Sequence, residues 1–154
     1  MEPQKIKKTV GWKEKICFPD MGIDWVDAKI DTGALTSSLH AKEQTRIVIK
    51  GKVMIRFKLE DHAHPAWEGQ EFTLPLRDET IVRNSFGQEE PRYVVTTRIQ
   101  LHNYIIRTEF TLSDRSSMEF PVLLGRKLLR KRFIVDVARS NVFYKKKLKK
   151  DLKP

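Results

Sequence analysis

The first candidate for chemistry in this sequence is an aspartate at the end of a predicted strand. Val26, Ala28 and Ile30 alternate with polar residues, so they share one apolar face of that strand. Asp31 follows at its end and should leave on the opposite face. Gly33 permits a sharp turn that a residue with a side chain would resist. We therefore predict a carboxylate held in place by a glycine turn.

Three hydroxyl residues, Thr36, Ser37 and Ser38, come directly after this turn and could restrain the carboxylate by hydrogen bonds. The tripeptide Asp-Thr-Gly is weak evidence alone, because all three are common turn residues. A second segment sharpens the signal. Residues 120–129 begin as an apolar strand that ends in Leu124-Gly125-Arg126, and they continue into a predicted short helix.

Together, in this order, the two segments resemble the retropepsin-like aspartic proteases. In that fold the second strand crosses behind the Asp-Thr-Gly loop, and its glycine lets the two backbones pack closely. A wider likeness, over about residues 13–142, is to a bacterial family labelled ATP-dependent zinc proteases. Some members of that family are encoded beside ATP-grasp ligases that add amino acids to ribosomal protein tails. This likeness rests on residues 28–41, on Leu124-Gly125-Arg126 and on Phe133-Ile134-Val135-Asp136.

The resemblance implies a pair of carboxylates about 3 Å apart that share one proton. The sequence holds one Asp-Thr-Gly, so the second carboxylate would come from a twofold-related copy, with Asp31 on the axis of a homodimer. Thr32 would brace the two loops, and Gly33 would offer its backbone to a substrate. Lys29, Leu124, Gly125 and Arg126 would support this loop. The predicted substrate contacts are Ala34, Thr36 and Ser37, together with Arg83, Ser85, Phe86 and Gly87 from a candidate flap at residues 82–88.

Three features depart from a standard retropepsin. Lys29 should lie on the same side of the strand as Asp31, and a nearby cation would oppose a shared proton. Leu35 stands where many retropepsins carry an acidic residue that pairs with the arginine, so Arg126 needs another partner. The long spacing between Asp31 and Gly125 indicates an insertion, which we place within residues 42–78.

Neither the pattern nor the number of histidines indicates a metal site. The four histidines are scattered, and no His-Glu-x-x-His occurs. His62 and His64 could share one side of a strand, but they precede Pro65 in a polar segment and are predicted to lie on the surface. His40 is predicted to pack or to cap. We expect no catalytic metal and no other cofactor.

Alternation with a period of two dominates the rest of the chain, with predicted hairpins at residues 50–52 and 102–103 and one short helix at about 126–130. This pattern predicts an all-β fold, a closed acid-protease barrel with one short C-terminal helix. We divide the chain into an N-terminal extension (1–12), a retropepsin-like domain (13–143) and a basic, disordered tail (144–154). Cys17 is predicted to be buried in a strand.

The composition suits one domain: 154 residues, 40% of them hydrophobic. No apolar run could cross a bilayer and no signal peptide is visible, which favours the cytoplasm. The net charge of +10 is concentrated in residues 126–132 and in the tail, where it could attract RNA, ribosomes or acidic peptides.

Two hypotheses follow. The first is a homodimeric hydrolase that cuts a peptide or isopeptide bond, in acidic, glutamate-rich tails, with an ATP-grasp ligase as a partner. The second is an inactive binding module on the same scaffold for an acidic protein or a ribosomal or RNA partner; the cation at Lys29 favours it.

Overall fold

A computed structural model describes residues 6–59, 70–83, 86–114 and 119–151 and is mostly β. Over these ranges the chain forms ten strands and two helices. The strands are β1 (Lys8–Val10), β2 (Lys13–Phe18), β3 (Ile23–Ile30), β4 (Ser37–Ile49), β5 (Lys52–Leu59), β6 (Glu71–Arg83), β7 (Glu89–Leu101), β8 (Tyr104–Ser113), β9 (Val122–Leu124) and β10 (Phe133–Val135). The helices are α1 (Arg126–Leu129) and α2 (Val142–Asp151).

Both predicted hairpins are present. The turn between β4 and β5 has Lys50 at φ 50° and Gly51 at φ 79°, the two left-handed residues that a tight hairpin of the right twist requires. The turn between β7 and β8 has His102 at φ 56°. The predicted short helix is confirmed as α1.

The main sheet has the strand order β2-β3-β9-β4-β5-β6-β7-β8. Neighbouring strands run antiparallel, except that β3 and β9 are parallel. β4 also pairs in parallel with β8, and β2 meets β7 at Cys17 and Gln100. Cys17 is buried in β2, as predicted, and burial raises the pKa of its thiol.

The core consists of the inward faces of these strands. In β5 the residues that alternate inward, Ile55, Phe57 and Leu59, are fully buried, as the period of two predicts. Phe18 and Phe110 pack at 5.8 Å between ring centroids. Burying one such large apolar side chain stabilises the fold by about 1.5–3 kcal/mol.

Both terminal segments contain ordered elements. Within residues 1–12, β1 is ordered and pairs in parallel with β10. The tail was predicted to be disordered, but α2 runs through residues 142–151, so that prediction is wrong up to residue 151. No helix within the described ranges is both long and apolar enough to cross a membrane. The domain boundaries themselves stay a prediction.

A buried carboxylate explains why α2 is ordered. Glu14 in β2 is 0% exposed and accepts backbone hydrogen bonds from Gly11 at 2.8 Å, and from Val142 and Phe143 at 3.0 Å each. The first N–H groups of a helix have no acceptors within the helix, so a carboxylate there accepts their hydrogen bonds. Its negative charge also interacts favourably with the positive end of the helix dipole. Trp25 packs against Phe143 at 5.2 Å between ring centroids. The sequence analysis did not predict these contacts of Glu14 and Trp25 with α2.

Candidate active site

Asp31 lies where the sequence placed it, at the end of β3 and off the core. Val26, Ala28 and Ile30 are buried, whereas Lys29 is exposed and Asp31 is partly buried. The outward face of the strand therefore carries both Lys29 and Asp31. The backbone N–H of Asp31 donates to the carbonyl of Leu124 in β9 at 2.9 Å. This bond fixes the point at which the chain leaves the sheet.

The turn after Asp31 restrains its carboxylate through the backbone. The N–H of Gly33 donates to Asp31 Oδ1 at 3.0 Å, and the N–H of Ala34 donates to the carbonyl of Asp31 at 3.3 Å. In the described part of the chain, no hydroxyl of residues 36–38 makes this contact. The carboxylate is held by hydrogen bonding, as predicted, but the donor is the backbone of Gly33 and not a hydroxyl.

The hydroxyl of Ser37 instead binds the end of β9 and so holds β9 against the loop. Ser37 Oγ accepts a hydrogen bond from the backbone N–H of Gly125 at 3.1 Å. A Cβ atom on Gly125 would lie 2.6 Å from the carbonyl oxygen of Thr36 and 2.9 Å from that of Ala34. Since real Cβ atoms do not approach oxygen so closely, only glycine fits here. The expectation that this glycine permits close backbone packing is confirmed.

Arg126 has a partner even though Leu35 replaces the usual acidic residue. Arg126 Nη1 donates to the carbonyl of Thr32 at 3.0 Å, and the backbone N–H of Arg126 donates to the carbonyl of Ala34 at 2.8 Å. The next N–H, that of Lys127, donates to the carbonyl of Leu35 at 3.0 Å. The first turn of α1 thus binds three carbonyls of the loop that carries Asp31.

A groove with a volume of about 660 Å³ lies beside this loop. Leu35 and Thr36 form one wall and Thr80 and Val82 of β6 form part of another. Asp31 does not line it. Its remaining lining residues are Arg77, Asp78, Val94, Glu109, Thr111 and Lys127. Of the predicted substrate contacts, the structure brings Thr36 into this groove.

The candidate flap is the end of the hairpin formed by β6 and β7. Arg83 closes β6 and its Nη2 lies 3.8 Å from a carboxylate oxygen of Glu89 in β7. Phe86 is 89% exposed, and Gly87 has φ 78°. Ser85 lies outside the described residues. Of the described residues of the flap, Arg83, Phe86 and Gly87 do not line the groove, whereas Val82 does, so their role over the cleft stays a prediction.

Sequence reasoning missed the contribution of β6 and of Lys127 to the groove. Thr80 and Val82 face it through the alternation of β6, and that alternation was visible in the sequence. Lys127 was interpreted only as part of the basic segment 126–132, whose charge could attract RNA, ribosomes or acidic peptides. Its position directly after Gly125-Arg126, which pack on the loop, was the available signal.

The zinc of the family label does not fit the residues that the structure describes. Within the described ranges no group of three or more His, Cys, Asp or Glu side chains could hold a metal ion. His40 is buried, and its backbone N–H donates to the carbonyl of Pro121 at 2.8 Å, which agrees with a packing role. His62 and His64 lie outside the described residues.

A family model described as retropepsin-like aspartic endopeptidase RimB matches residues 9–146. The chain belongs to this RimB-like family. The retropepsin-like part of the resemblance is thereby confirmed. A solved protein of unknown function from Legionella pneumophila has a similar fold, with a TM-score of 0.73 and 26% identity, over 90% of this chain and 99% of that one.

Curated relatives of this RimB-like chain carry a different name. A protein of Desulfotalea psychrophila named "Probable alpha-L-glutamate ligase" is 35% identical over 136 residues, which is 86% of this chain and 28% of the relative. One of the same name from Shewanella halifaxensis is 32% identical over 87% of this chain and 29% of the relative. The chain therefore spans less than a third of the length of these relatives. None of these names is zinc protease.

Proposed function

We propose that this chain is a homodimeric retropepsin-like aspartic endopeptidase in which two Asp31 carboxylates, one from each copy, activate a water molecule. One observation carries the proposal. The Asp31 carboxylate is oriented by the N–H of Gly33 at 3.0 Å, on a loop that is anchored to β9 and α1 on its inner side. Such support from rigid elements is what a catalytic group needs.

The second copy is required because each chain supplies one such aspartate. In the proposed dimer the exposed residues Thr32 and Gly33 face their counterparts across the twofold axis. The two carboxylates then lie close enough to share one proton. The pairings of β4 with β8 and of β2 with β7 support a closed barrel as the rigid frame of each half.

The proposed reaction needs only water and the two carboxylates, and no cofactor. The ionised carboxylate takes a proton from water, the water oxygen bonds to the scissile carbonyl carbon, and the protonated carboxylate gives its proton to the carbonyl oxygen. Collapse of this intermediate breaks the C–N bond, and the nitrogen leaves with a proton delivered by the dyad. The products are a carboxylic acid and an amine.

We propose glutamate-rich peptides as the substrate class. Two observations support this choice: the net charge of +10 and the printed name of the relatives, alpha-L-glutamate ligase. An enzyme that removes glutamate residues and a ligase that adds them would act on the same tails. The ligase is accordingly the partner that we expect for this chain.

The test combines cleavage with the state of assembly. Mass spectrometry should detect fragments of an acetylated peptide of six α-linked glutamates after incubation with the wild-type chain, and the Asp31→Asn variant should give none. Asp114→Asn is the matched control, because Asp114 is exposed at the end of β8. Light scattering should give a dimer mass for all three proteins.

A strictly monomeric wild-type protein, or undiminished cleavage by Asp31→Asn, would refute the proposal. The alternative of a binding module is favoured by the exposed Lys29 beside Asp31, since a cation there stabilises two ionised carboxylates. Binding of the peptide by wild type and Asp31→Asn alike, with cleavage by neither, would decide for the module.

A further inference from the structure

A second, smaller cavity with a volume of about 280 Å³ opens where β4, β8 and α1 meet. It shares Thr36, Glu109 and Lys127 with the groove beside the Asp31 loop, so it adjoins that groove. Its lining residues are Thr36, Ser37, Ile106, Arg107, Thr108, Glu109, Lys127, Leu128 and Arg132. We name this cavity the basic pocket.

Three cations surround the basic pocket: Arg107, Lys127 and Arg132. In the described part of the chain none of them forms an ion pair. The carboxylate in the same wall, Glu109, is already engaged by Arg77, whose Nε lies 3.2 Å away. Among the residues that the structure describes, the pocket therefore has an excess of positive charge that no neighbouring side chain neutralises.

This charge is concentrated in a concave site, where it differs from the lysines spread along α2. Walls of one sign around a cleft focus the field and raise the local concentration of an oppositely charged ligand. The inner wall is also polar. Ser37 and Thr108 are buried there, and the Ser37 oxygen, which accepts from Gly125 at 3.1 Å, keeps its own proton to donate.

The size of the pocket selects the kind of anion. Sites for whole small molecules usually enclose about 300–1,000 Å³, and this pocket of about 280 Å³ lies just below that range. It suits one side chain of a peptide that lies in the adjoining groove. One of its lining residues, Thr36, also lines the groove and lies five residues after Asp31 in sequence.

We infer that the basic pocket is a substrate subsite that receives a glutamate side chain, with Arg107 and Lys127 as the residues that determine specificity. The inference rests on the proposed function, because it assumes that the peptide occupies the groove. Arg132 has a mixed role: its Nη1 also donates to the carbonyl of Leu128 at 3.1 Å, so its replacement would disturb the wall itself.

The experiment measures binding separately from cleavage. In the uncleaving Asp31→Asn background, calorimetry compares two acetylated peptides, one of six glutamates and one of six glutamines. Arg107→Gln and Lys127→Gln are each added to that background. The matched control is Lys52→Gln, which removes the same charge at the start of β5, opposite Ile49 at the far end of β4. β4 has 13 residues and would be roughly 40 Å long if fully extended.

We expect the glutamate peptide to bind at least about tenfold more tightly than the glutamine peptide, since charge-assisted hydrogen bonds are the strong ones. Each pocket variant should weaken glutamate binding by about two- to fivefold, as loss of one partly solvated cation predicts, and leave glutamine binding within about 1.5-fold. Lys52→Gln should change neither. Arg107→Glu should reduce or reverse the preference.

Each contrary result has a distinct meaning. Equal weakening of both peptides, an effect of Lys52→Gln as large as that of the pocket variants, or no binding of the glutamate peptide would overturn the subsite. A glutamate preference that depends on Arg107 and Lys127, in a wild-type chain that cleaves neither peptide, would uphold the subsite and refute the peptidase. Cleavage of the glutamate peptide by the wild-type chain, with equal binding of the glutamate and glutamine peptides, would uphold the peptidase and overturn the subsite.

Discussion

Replacing Gly125 by alanine is the sharpest test of how the candidate site is built. The added methyl carbon would lie 2.6 Å from the carbonyl oxygen of Thr36, 2.7 Å from its carbonyl carbon and 2.9 Å from the carbonyl oxygen of Ala34. All three are backbone atoms, so no side-chain rotation relieves the contact. The φ of Gly125 is −95°, a value that alanine adopts freely, and the effect is therefore purely steric.

The magnitude follows from these contacts. Overpacking a well-packed site typically costs about 1–3 kcal/mol, and three backbone contacts below the usual limit put this variant at the upper end, about 3 kcal/mol or more. Relief requires β9 and α1 to move away from the loop. That movement would break the bond from Gly125 to Ser37 at 3.1 Å and the bond from Arg126 to Ala34 at 2.8 Å.

Two other glycines provide matched controls in urea unfolding. Gly33→Ala adds a methyl group 3.3 Å from one side-chain oxygen of Asp31 and should cost less than about 1 kcal/mol. Gly11→Ala would meet the carbonyl oxygen of Arg139 and should also destabilise strongly, as a positive control for a steric clash with backbone atoms. Gly125→Ala should lower both stability and peptide cleavage. An unfolding free energy for Gly125→Ala within about 0.5 kcal/mol of wild type would refute the close packing described here.

Three further predictions concern residues around this frame. Glu14→Ala leaves three buried N–H groups without their acceptor. At about 1–3 kcal/mol each, the free energy of unfolding should fall by about 3 kcal/mol, and the helical signal of α2 in circular dichroism should fall with it. An unchanged helical signal would contradict the role of Glu14 in ordering α2. Burial lowers the pKa of His102, whose Nε2 donates to Thr9 O at 2.9 Å. The unfolded chain binds a second proton on the His102 ring near pH 6.5, whereas the folded chain binds it only at lower pH. The contribution of neutral His102 to stability is therefore present above about pH 6.5 and falls as the pH drops below it. His102→Asn should flatten that part of the curve of unfolding free energy against pH, and an identical slope would count against the assignment. Arg126→Met removes the bond to Thr32 at 3.0 Å and should reduce kcat by about tenfold or more through misplacement of the loop, while the exposed site keeps stability within about 0.5 kcal/mol; an unchanged kcat would show that α1 holds the loop through its backbone alone.

Much of the fold was predictable because its strands are covered on one face only. The alternation in β5 and the hairpin turns at Lys50 and His102 are local signals, and the structure agrees with both. The end of β3 at Asp31 and the start of α1 at Arg126 were also predictable from local signals. Each is marked by a glycine or by a change of period within a few residues.

What the sequence did not reveal depends on contacts between distant residues. The order of α2 is set by Glu14, which lies 128 positions before Val142; seen locally, six lysines in the last eleven residues indicate a disordered tail. The partner of Arg126 was missed likewise. Leu35 in place of an acidic residue indicated only that Arg126 needs another partner. The acceptor is a backbone carbonyl, that of Thr32, and backbone acceptors leave no mark in a sequence.

The two sides of the Asp31 loop have opposite properties, and this asymmetry bears on assembly. On the inner side β9 ties the loop to the core, because Leu124 is fully buried and accepts the hydrogen bond of the Asp31 N–H. On the outer side Thr32 and Gly33 are exposed. A loop that is already fixed from within loses little conformational freedom when its outer side meets a second copy. Association through this surface would therefore cost little ordering entropy, and the carboxylate would reach its partner in the orientation that Gly33 has set.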